Sequence, residues 1–193
     1  VLRLVNGKAR TRGAEADVNW RATESTRVAL SAAYIDAEIT SFPGADCFPT
    51  QTAAQGCVGG KQNLSGHPMP DSPKFKFNGN IEQRLSLDQV NVILGGNLAY
   101  RTDSLFQANG NPKTRQPGFA LVNLSMGVES KDGKYTGTFF VNNVTDHFYL
   151  TNAEDFFSGA YAAPGTFAPA NVVIGQPARD SHRYFGARLA MNF

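Results

Sequence analysis

The chain has 193 residues, with 18 Lys and Arg against 16 Asp and Glu, for a formal net charge of +2. That length suits one domain or one large piece of a domain, and a near-neutral balance without a basic run excludes a nucleic-acid partner held through its phosphates. With 19 Gly, 14 Phe, 2 Cys and 1 Trp, the composition suits strands, turns and interfacial aromatic belts better than helices.

Period-two alternation recurs along the chain, and helical periodicity is nowhere sustained. The opening, Val1 to Val5, reads as the tail of a strand, followed by an Asn6-Gly7 hairpin turn. It lacks the basic start, long apolar core and small-residue cleavage site of a signal peptide. The expectation is a chain that starts inside a longer protein.

The next strand spans roughly 8–21, with Ala14, Ala16, Val18 and Trp20 on one face and Glu15, Asp17 and Asn19 on the other. A strand over about 26–40 follows, with Val28, Leu30, Ala32 and Tyr34 apolar. The cleanest alternation covers about 73–87, where Phe75, Phe77, Ile81, Leu85 and Leu87 interleave with Lys74, Lys76, Asn78, Asn80, Glu82 and Arg84. Residues 89–102 set Val90, Val92, Leu94, Leu98 and Tyr100 against Asn91, Asn97 and Arg101, and Gly95-Gly96 marks a bulge or bend. Further strands are expected over about 118–129, 134–150 and 181–193. In the last, Phe185, Ala187, Leu189, Met191 and Phe193 share one face, while Tyr184, Gly186, Arg188 and Asn192 share the other.

Connections alternate between short (22–25, 88, 130–133) and long (41–72, 103–117, 151–180). Short turns at one rim and long loops at the other are the topology of an outer-membrane barrel, with the terminal strand ending at the periplasmic rim. The strand lengths agree, since about 9–11 tilted residues cross the apolar layer. The polar faces carry Lys74, Lys76, Glu82, Arg84 and Arg101, charges that a soluble sandwich core does not bury unpaired. A soluble all-β sandwich is the competing architecture, because one-sided alternation occurs there too. The one long uncharged segment, Ser158 to Ala178, contains Pro164, Pro169 and Pro177 with Gly159, Gly165 and Gly175, so it reads as a loop and not as a membrane helix.

Cys47 and Cys57 lie in the first long loop. A pair so close reads as a local disulfide, which needs an oxidising compartment such as the periplasm or cell surface and contributes on the order of 2–3 kcal/mol to local order. The alternative is two free thiols in a cytosolic loop.

Three elements resemble those of TonB-dependent outer-membrane receptors. The segment Asn6 to Asp17, with Arg12-Gly13-Ala14-Glu15 at its centre, resembles their "N-x-G…A…R-G-x-E" strand. Asn143-Val144-Thr145-Asp146-His147-Phe148-Tyr149 resembles their "N-hydrophobic-x-D-x-x-Y" element. The run from Arg183 to Phe193 resembles their closing strand, whose last aromatic is read by the barrel-assembly machinery. The family residues are then Gly13, Glu15, Asn143, Asp146 and Tyr149.

The resemblance implies an antiparallel transmembrane β-barrel of the type with about 22 strands. Residues 1–193 would form a single region, about eight C-terminal strands of that wall. It further implies an N-terminal plug domain outside this chain and coupling to TonB in the Gram-negative outer membrane. The intact receptor would take up an iron–siderophore complex, cobalamin or an oligosaccharide. The rival is a complete eight-stranded barrel acting as a porin, adhesin or outer-membrane enzyme, which would fill its narrow interior with side chains.

No catalytic set, resident metal or cofactor is expected. His67, His147 and His182 lack metal-ligand spacing, Gly59-Gly60-Lys61 is not a phosphate loop, and no Ser/His/Asp or Cys/His order stands out. In the Asn143 to Tyr149 element, Asn143 and Asp146 are expected to bond the backbone where the strand leaves the barrel, with Tyr149 in the outer aromatic girdle. Candidate ligand contacts are the loop aromatics Phe156, Phe157, Tyr161 and Phe167, with Phe42 and Phe48 beside the cysteines; the alternative is that they pack the loops together.

Overall fold

The structure, a computed structural model, describes residues 7–157 and 171–192. The elements in chain order are β1 (Lys8–Arg21), β2 (Thr26–Ser41), β3 (Ala45–Asp46), β4 (Lys61–Gln62), β5 (Phe75–Ser86), β6 (Val90–Arg101), β7 (Ser104–Leu105), β8 (Arg115–Gln116), β9 (Phe119–Ser130), β10 (Tyr135–Asn142), β11 (Leu150–Phe157), β12 (Asn171–Pro177) and β13 (Tyr184–Met191). A seven-stranded sheet runs β1-β2-β5-β6-β9-β10-β13, with each neighbouring pair antiparallel. Three small two-stranded sheets, β3-β4, β7-β8 and β11-β12, sit in the long connections. The chain is therefore all-β, and β1 and β13 are the two edges of an unclosed sheet among the described residues.

Registered pairing converts alternation along each strand into continuous faces across the sheet. Val18 opposes Leu30, Leu30 opposes Gly79, Gly79 opposes Leu98 and Leu98 opposes Val122. Another row runs Leu94, Met126, Phe139 and Ala187. Much of this face is open to the surroundings, with Trp20 at 60%, Met126 at 52%, Phe139 at 56% and Phe185 at 64% exposure. A sandwich would bury that face beneath a second sheet. The described residues provide no second layer, so the wall has one apolar face turned outward, as a bilayer requires.

The outward face changes chemistry within single strands. Above Ala14 and Tyr34, which oppose each other, the pairs become Arg12 with Asp36 and Arg10 with Glu38, and Arg10 bonds Glu38 at 3.0 Å. On the other face of β2 the apolar residues Ala37 and Ile39 are buried. Ile39 joins Ala45 and Leu64 in a small core flanked by Phe42 and Met69. The hydrophobic core thus lies in the loop layer, over the end of the wall and not within it.

The expected strands are found to within a few residues, with three corrections. The seventh was expected over 134–150 but ends at Asn142, because Asn143 (φ 50°) and Asp146 (φ 53°) adopt left-handed backbone that a strand cannot continue through. The partner of the terminal strand is accordingly β10, and Asn143 to Tyr149 lies beyond it. The connection 151–180, expected as pure loop, contains the β11-β12 hairpin, whose Ala153-Gly175 and Glu154-Ile174 pairs hold a regular ladder. Gly95-Gly96 makes no bulge: β6 keeps register on both sides, Gly96 leaving room for Ile81 and Gly95 for Ser125.

Candidate ligand-facing wall and loop cap

The face opposite the apolar one is polar and hydrogen-bonded from strand to strand. Asn97 donates from Nδ2 to Asn80 Oδ1 at 2.9 Å, and Asn123 donates to Asn97 Oδ1 at 3.1 Å. The Asn143 backbone N–H then donates to Asn123 Oδ1 at 2.8 Å. This asparagine ladder starts on β5, crosses β6 and β9, and ends just past β10, satisfying amides that water would otherwise solvate. Around it Arg27 approaches Glu82 at 3.9 Å, and Arg84 pairs with Glu129. A hollow of about 640 Å³ lies along Asn19, Arg21, Asn80, Asn97, Asn123 and Phe140.

Asn143 anchors the rim. Only 1% exposed, it donates from Nδ2 to His147 O at 2.9 Å and Asp180 O at 3.1 Å. Its Oδ1 accepts from His147 N at 2.9 Å. Asp146 accepts from Arg183 N at 2.8 Å, and this backbone bond holds its carboxyl below the usual range, aided by the Arg183 and His182 charges. Both residues therefore bond the backbone where the strand leaves the sheet, in the manner expected of them.

Tyr149 departs from expectation. Its ring stacks on Phe119 with centroids 4.6 Å apart, and Arg101 lies 5.9 Å over the same Phe119 ring. Phe119 opposes Arg101 on the polar face, so Tyr149 packs on the inner side of the rim and not in an outer girdle. Burial, together with its hydrogen bond to Asp180, pushes the Tyr149 hydroxyl well above the usual phenol range.

The long connections are tied into one cap. Asn109 donates to both Asp155 oxygens, at 2.9 and 3.1 Å, and Asn111 donates to Asp155 Oδ2 at 2.8 Å. Gln62 donates to Asn109 O at 2.8 Å, joining the first connection to the second, and Gln116 Oε1 accepts from Leu150 N at 2.9 Å. Cys47 and Cys57 are disulfide-bonded with Cα atoms 5.8 Å apart. Sequence reading missed the Asp155 cross-link; its only local signal is the turn Asn109-Gly110-Asn111-Pro112, which gives no partner.

Among the other residues singled out by sequence, Gly13 has a physical reason. A Cβ there would stand 2.5 Å from the Tyr34 carbonyl oxygen, so the close backbone approach of β1 and β2 excludes a side chain. Glu15 is exposed on the inner face opposite Ala33. Phe185, Ala187, Leu189 and Met191 share the outward face of β13, whereas Tyr184 turns inward, its hydroxyl accepting from Asn142 Nδ2 at 2.6 Å. Phe48 is buried and Phe42 packs on the loop core, so these two hold the loops together. Phe156 and Phe157 fall on β11. Tyr161, Phe167 and Phe193 lie outside the described residues, as do Val1 to Asn6.

No curated protein matches the sequence. Among solved structures, the ferric yersiniabactin uptake receptor FyuA from Yersinia pestis superposes with a TM-score of 0.66 at 15% identity, over 97% of this chain and 24% of its own. The ferric preacinetobactin receptor BauA from Acinetobacter baumannii gives 0.61 at 19% identity, over 97% and 23%. The siderophore receptor PiuA from the same organism gives 0.62 at 16% identity, over 95% and 21%. The chain thus spans under a quarter of the length of these receptors, and at such identities the likeness speaks for the fold. The family described as TonB dependent receptor-like, beta-barrel matches residues 2–144, more than half of the sequence. On that match, the chain belongs to the TonB-dependent receptor β-barrel family.

Proposed function

We propose that this chain is the C-terminal part of the barrel wall of an outer-membrane receptor that takes up a ferric siderophore complex with energy coupled through TonB. The observation that carries the reading is the seven-stranded sheet itself, apolar outside, polar inside and, among the described residues, unclosed between β1 and β13. In hydrocarbon an exposed sheet edge leaves backbone groups unsatisfied, so such a wall requires further strands to close it. Residues 1–193 then act as one region of the barrel, with a plug domain and TonB as partners of the intact receptor. Lipid lies against the apolar face, and the barrel-assembly machinery reads the closing strand through Phe193. The loop cap with its Cys47–Cys57 bond faces the oxidising exterior of a Gram-negative cell.

Siderophore is favoured over cobalamin or oligosaccharide because the three similar structures are receptors of ferric or siderophore ligands. The reading is tested by deleting the gene in its host and measuring uptake of radio-iron presented on several siderophores, with labelled cobalamin and maltooligosaccharide in parallel. Loss of one ferric complex, restored by the plasmid-borne gene only when TonB is present, is expected. Unchanged iron uptake with loss of cobalamin or sugar uptake would overturn it.

A further inference from the structure

The asparagine ladder of the inner wall has a direction, and two backbone groups fix it. At its β10 end Asn143 offers a backbone N–H, which only donates, so Asn123 must present Oδ1 to it, at 2.8 Å. Asn123 Nδ2 is thereby turned toward β6, where it meets Asn97 Oδ1 at 3.1 Å. Asn97 Nδ2 in turn points to Asn80 Oδ1 at 2.9 Å and to the Gly79 carbonyl, which only accepts, at 3.3 Å. Both backbone groups demand the same polarity, with every amide oxygen turned toward the Asn143 end. The open end of the row is Asn80 Nδ2, beside Ala29, which has no polar side-chain atom to offer.

Asn80, Asn97 and Asn123 line the hollow, and the last two are half-buried. Asn143 at the far end is buried and grips the stem of the last long connection through the carbonyls of His147 and Asp180. A carboxamide that loses its neighbour is free to turn over. Turned over, Asn123 would set Nδ2 against the Asn143 N–H, two donors that make no bond. We propose that the row is a polarised positioning relay. Asn97 and Asn80, neither of which hydrogen-bonds Asn143, hold Asn123 in the orientation that anchors Asn143 and with it the root of the last long connection. The hollow is then a control point for the rim: an amide or guanidinium donor that enters it and takes Asn97 Oδ1 for itself releases Asn123 to turn.

The test is amide exchange, resolved to single residues, in the full-length receptor. Asn97→Leu should speed exchange at Asn143 and His147 about fivefold, the loss of roughly one net hydrogen bond. Asn80→Leu should speed it only about twofold, because Gly79 O still orients Asn97. Asn97→Asp should leave both amides slow, since its carboxylate still accepts from Asn123 Nδ2. The Val144 N–H is tied to Val122 O at 2.8 Å and receives nothing from the row, so it should keep its rate in every variant. All three amides should be unchanged in Asn78→Leu, which lies on the same face in the pair with Ala99, outside the row. Unchanged exchange at Asn143 in Asn97→Leu, an equal rise at Val144, or Asn97→Asp behaving like Asn97→Leu overturns the relay. No ligand enters these measurements, so siderophore uptake stands or falls by its own test.

Discussion

The Phe140 ring lies flat against Gly186 of the neighbouring strand, so that a Cβ on Gly186 would stand only 2.7 and 2.8 Å from ring carbons Cε2 and Cε1. The two residues oppose each other in the β10-β13 ladder on the inner face, and Tyr184 meets the same ring edge-on at 6.2 Å. The glycine gives the ring its seat, and the ring covers backbone that the glycine leaves bare. Gly186→Val should therefore displace Phe140 and cost about 1–3 kcal/mol by overpacking. The check is the fraction of folded receptor that resists unfolding in unheated detergent gels. Adding Phe140→Ala to Gly186→Val should restore part of the loss, because it removes the clashing ring.

The buried Asn143 side chain holds the rim through several bonds at once, each to a partner that is itself only partly buried. Asn143→Ala leaves the carbonyls of His147 and Asp180 and the His147 N–H without their partner, and it puts alanine at φ 50°. A loss of about 2–4 kcal/mol is expected, since each buried group left unpaired costs about 1–3 kcal/mol. Asn142→Ala, which removes only the exposed bond to Tyr184, should cost under about 1 kcal/mol. Thermal unfolding of the purified receptor in detergent separates the two.

Much of this wall is legible in the sequence because a strand writes its two faces as alternate letters. Phe75 to Ser86 shows which residues share a face and that charges such as Lys76 and Glu82 face water. Alternation along one strand says nothing of register between strands. That is why Asn80, Asn97 and Asn123 were all readable as polar-face residues while the ladder they form was not. The loop layer is legible only in its cysteines and turn residues. Asp155 finds Asn109 and Asn111 across 44 or 46 residues of chain, and no local pattern encodes such a distance. The end of β10 was misread for a related reason. Phe148 and Tyr149 continue the apolar count, but the left-handed backbone at Asn143 has already turned the chain.

The rim around Asp146 should be sensitive to acid. Its carboxyl is held below the ordinary value of 3.8, first by the Arg183 backbone N–H and then by the Arg183 and His182 charges. A depressed carboxyl contributes tethering that is fully present above its ordinary value and is lost as pH falls through the folded value. Amide exchange at Arg183, corrected for its intrinsic pH dependence, should be slow at neutral pH and speed up below about pH 4. In Asp146→Asn the protection should be weaker at neutral pH and nearly independent of pH, and a wild-type profile equally flat would contradict the tether.

Reducing the Cys47–Cys57 bond should loosen the loop cap and leave the wall intact. The bond closes a sequence separation of 10, so its contribution is about 2–3 kcal/mol and local. Cys47→Ser/Cys57→Ser should expose Lys61, which pairs with Asp46 across β3-β4, to trypsin. The sheet should assemble in normal amounts. Its strands draw their pairing from β1-β2 and β5-β6 ladders that contain neither cysteine.

Asp155 is the pin between the second connection and the β11-β12 hairpin. Asp155→Ala strips Asn109 and Asn111 of a charged acceptor at 2.8 to 3.1 Å, and hydrogen bonds to charged groups are worth about 1.5–3 kcal/mol each. Asn109 keeps its carbonyl bond from Gln62 at 2.8 Å, and Asn111 still caps Lys113 N at 3.1 Å, so the second connection should hold its own turn. Among the described residues the hairpin retains neutral ties, Leu150 N to Gln116 Oε1 at 2.9 Å at its base and Gln107 Nε2 to Ala153 O at 3.2 Å. Hydrogen exchange should therefore rise sharply over 150–157 and 171–177, slightly over 104–116, and not at all in β5, β6 or β9. Equal loosening of both connections would mean that the hairpin supports the loop, and not the reverse. Unchanged exchange in the hairpin would mean that Asp155 holds nothing that its ladder with β12 does not already hold.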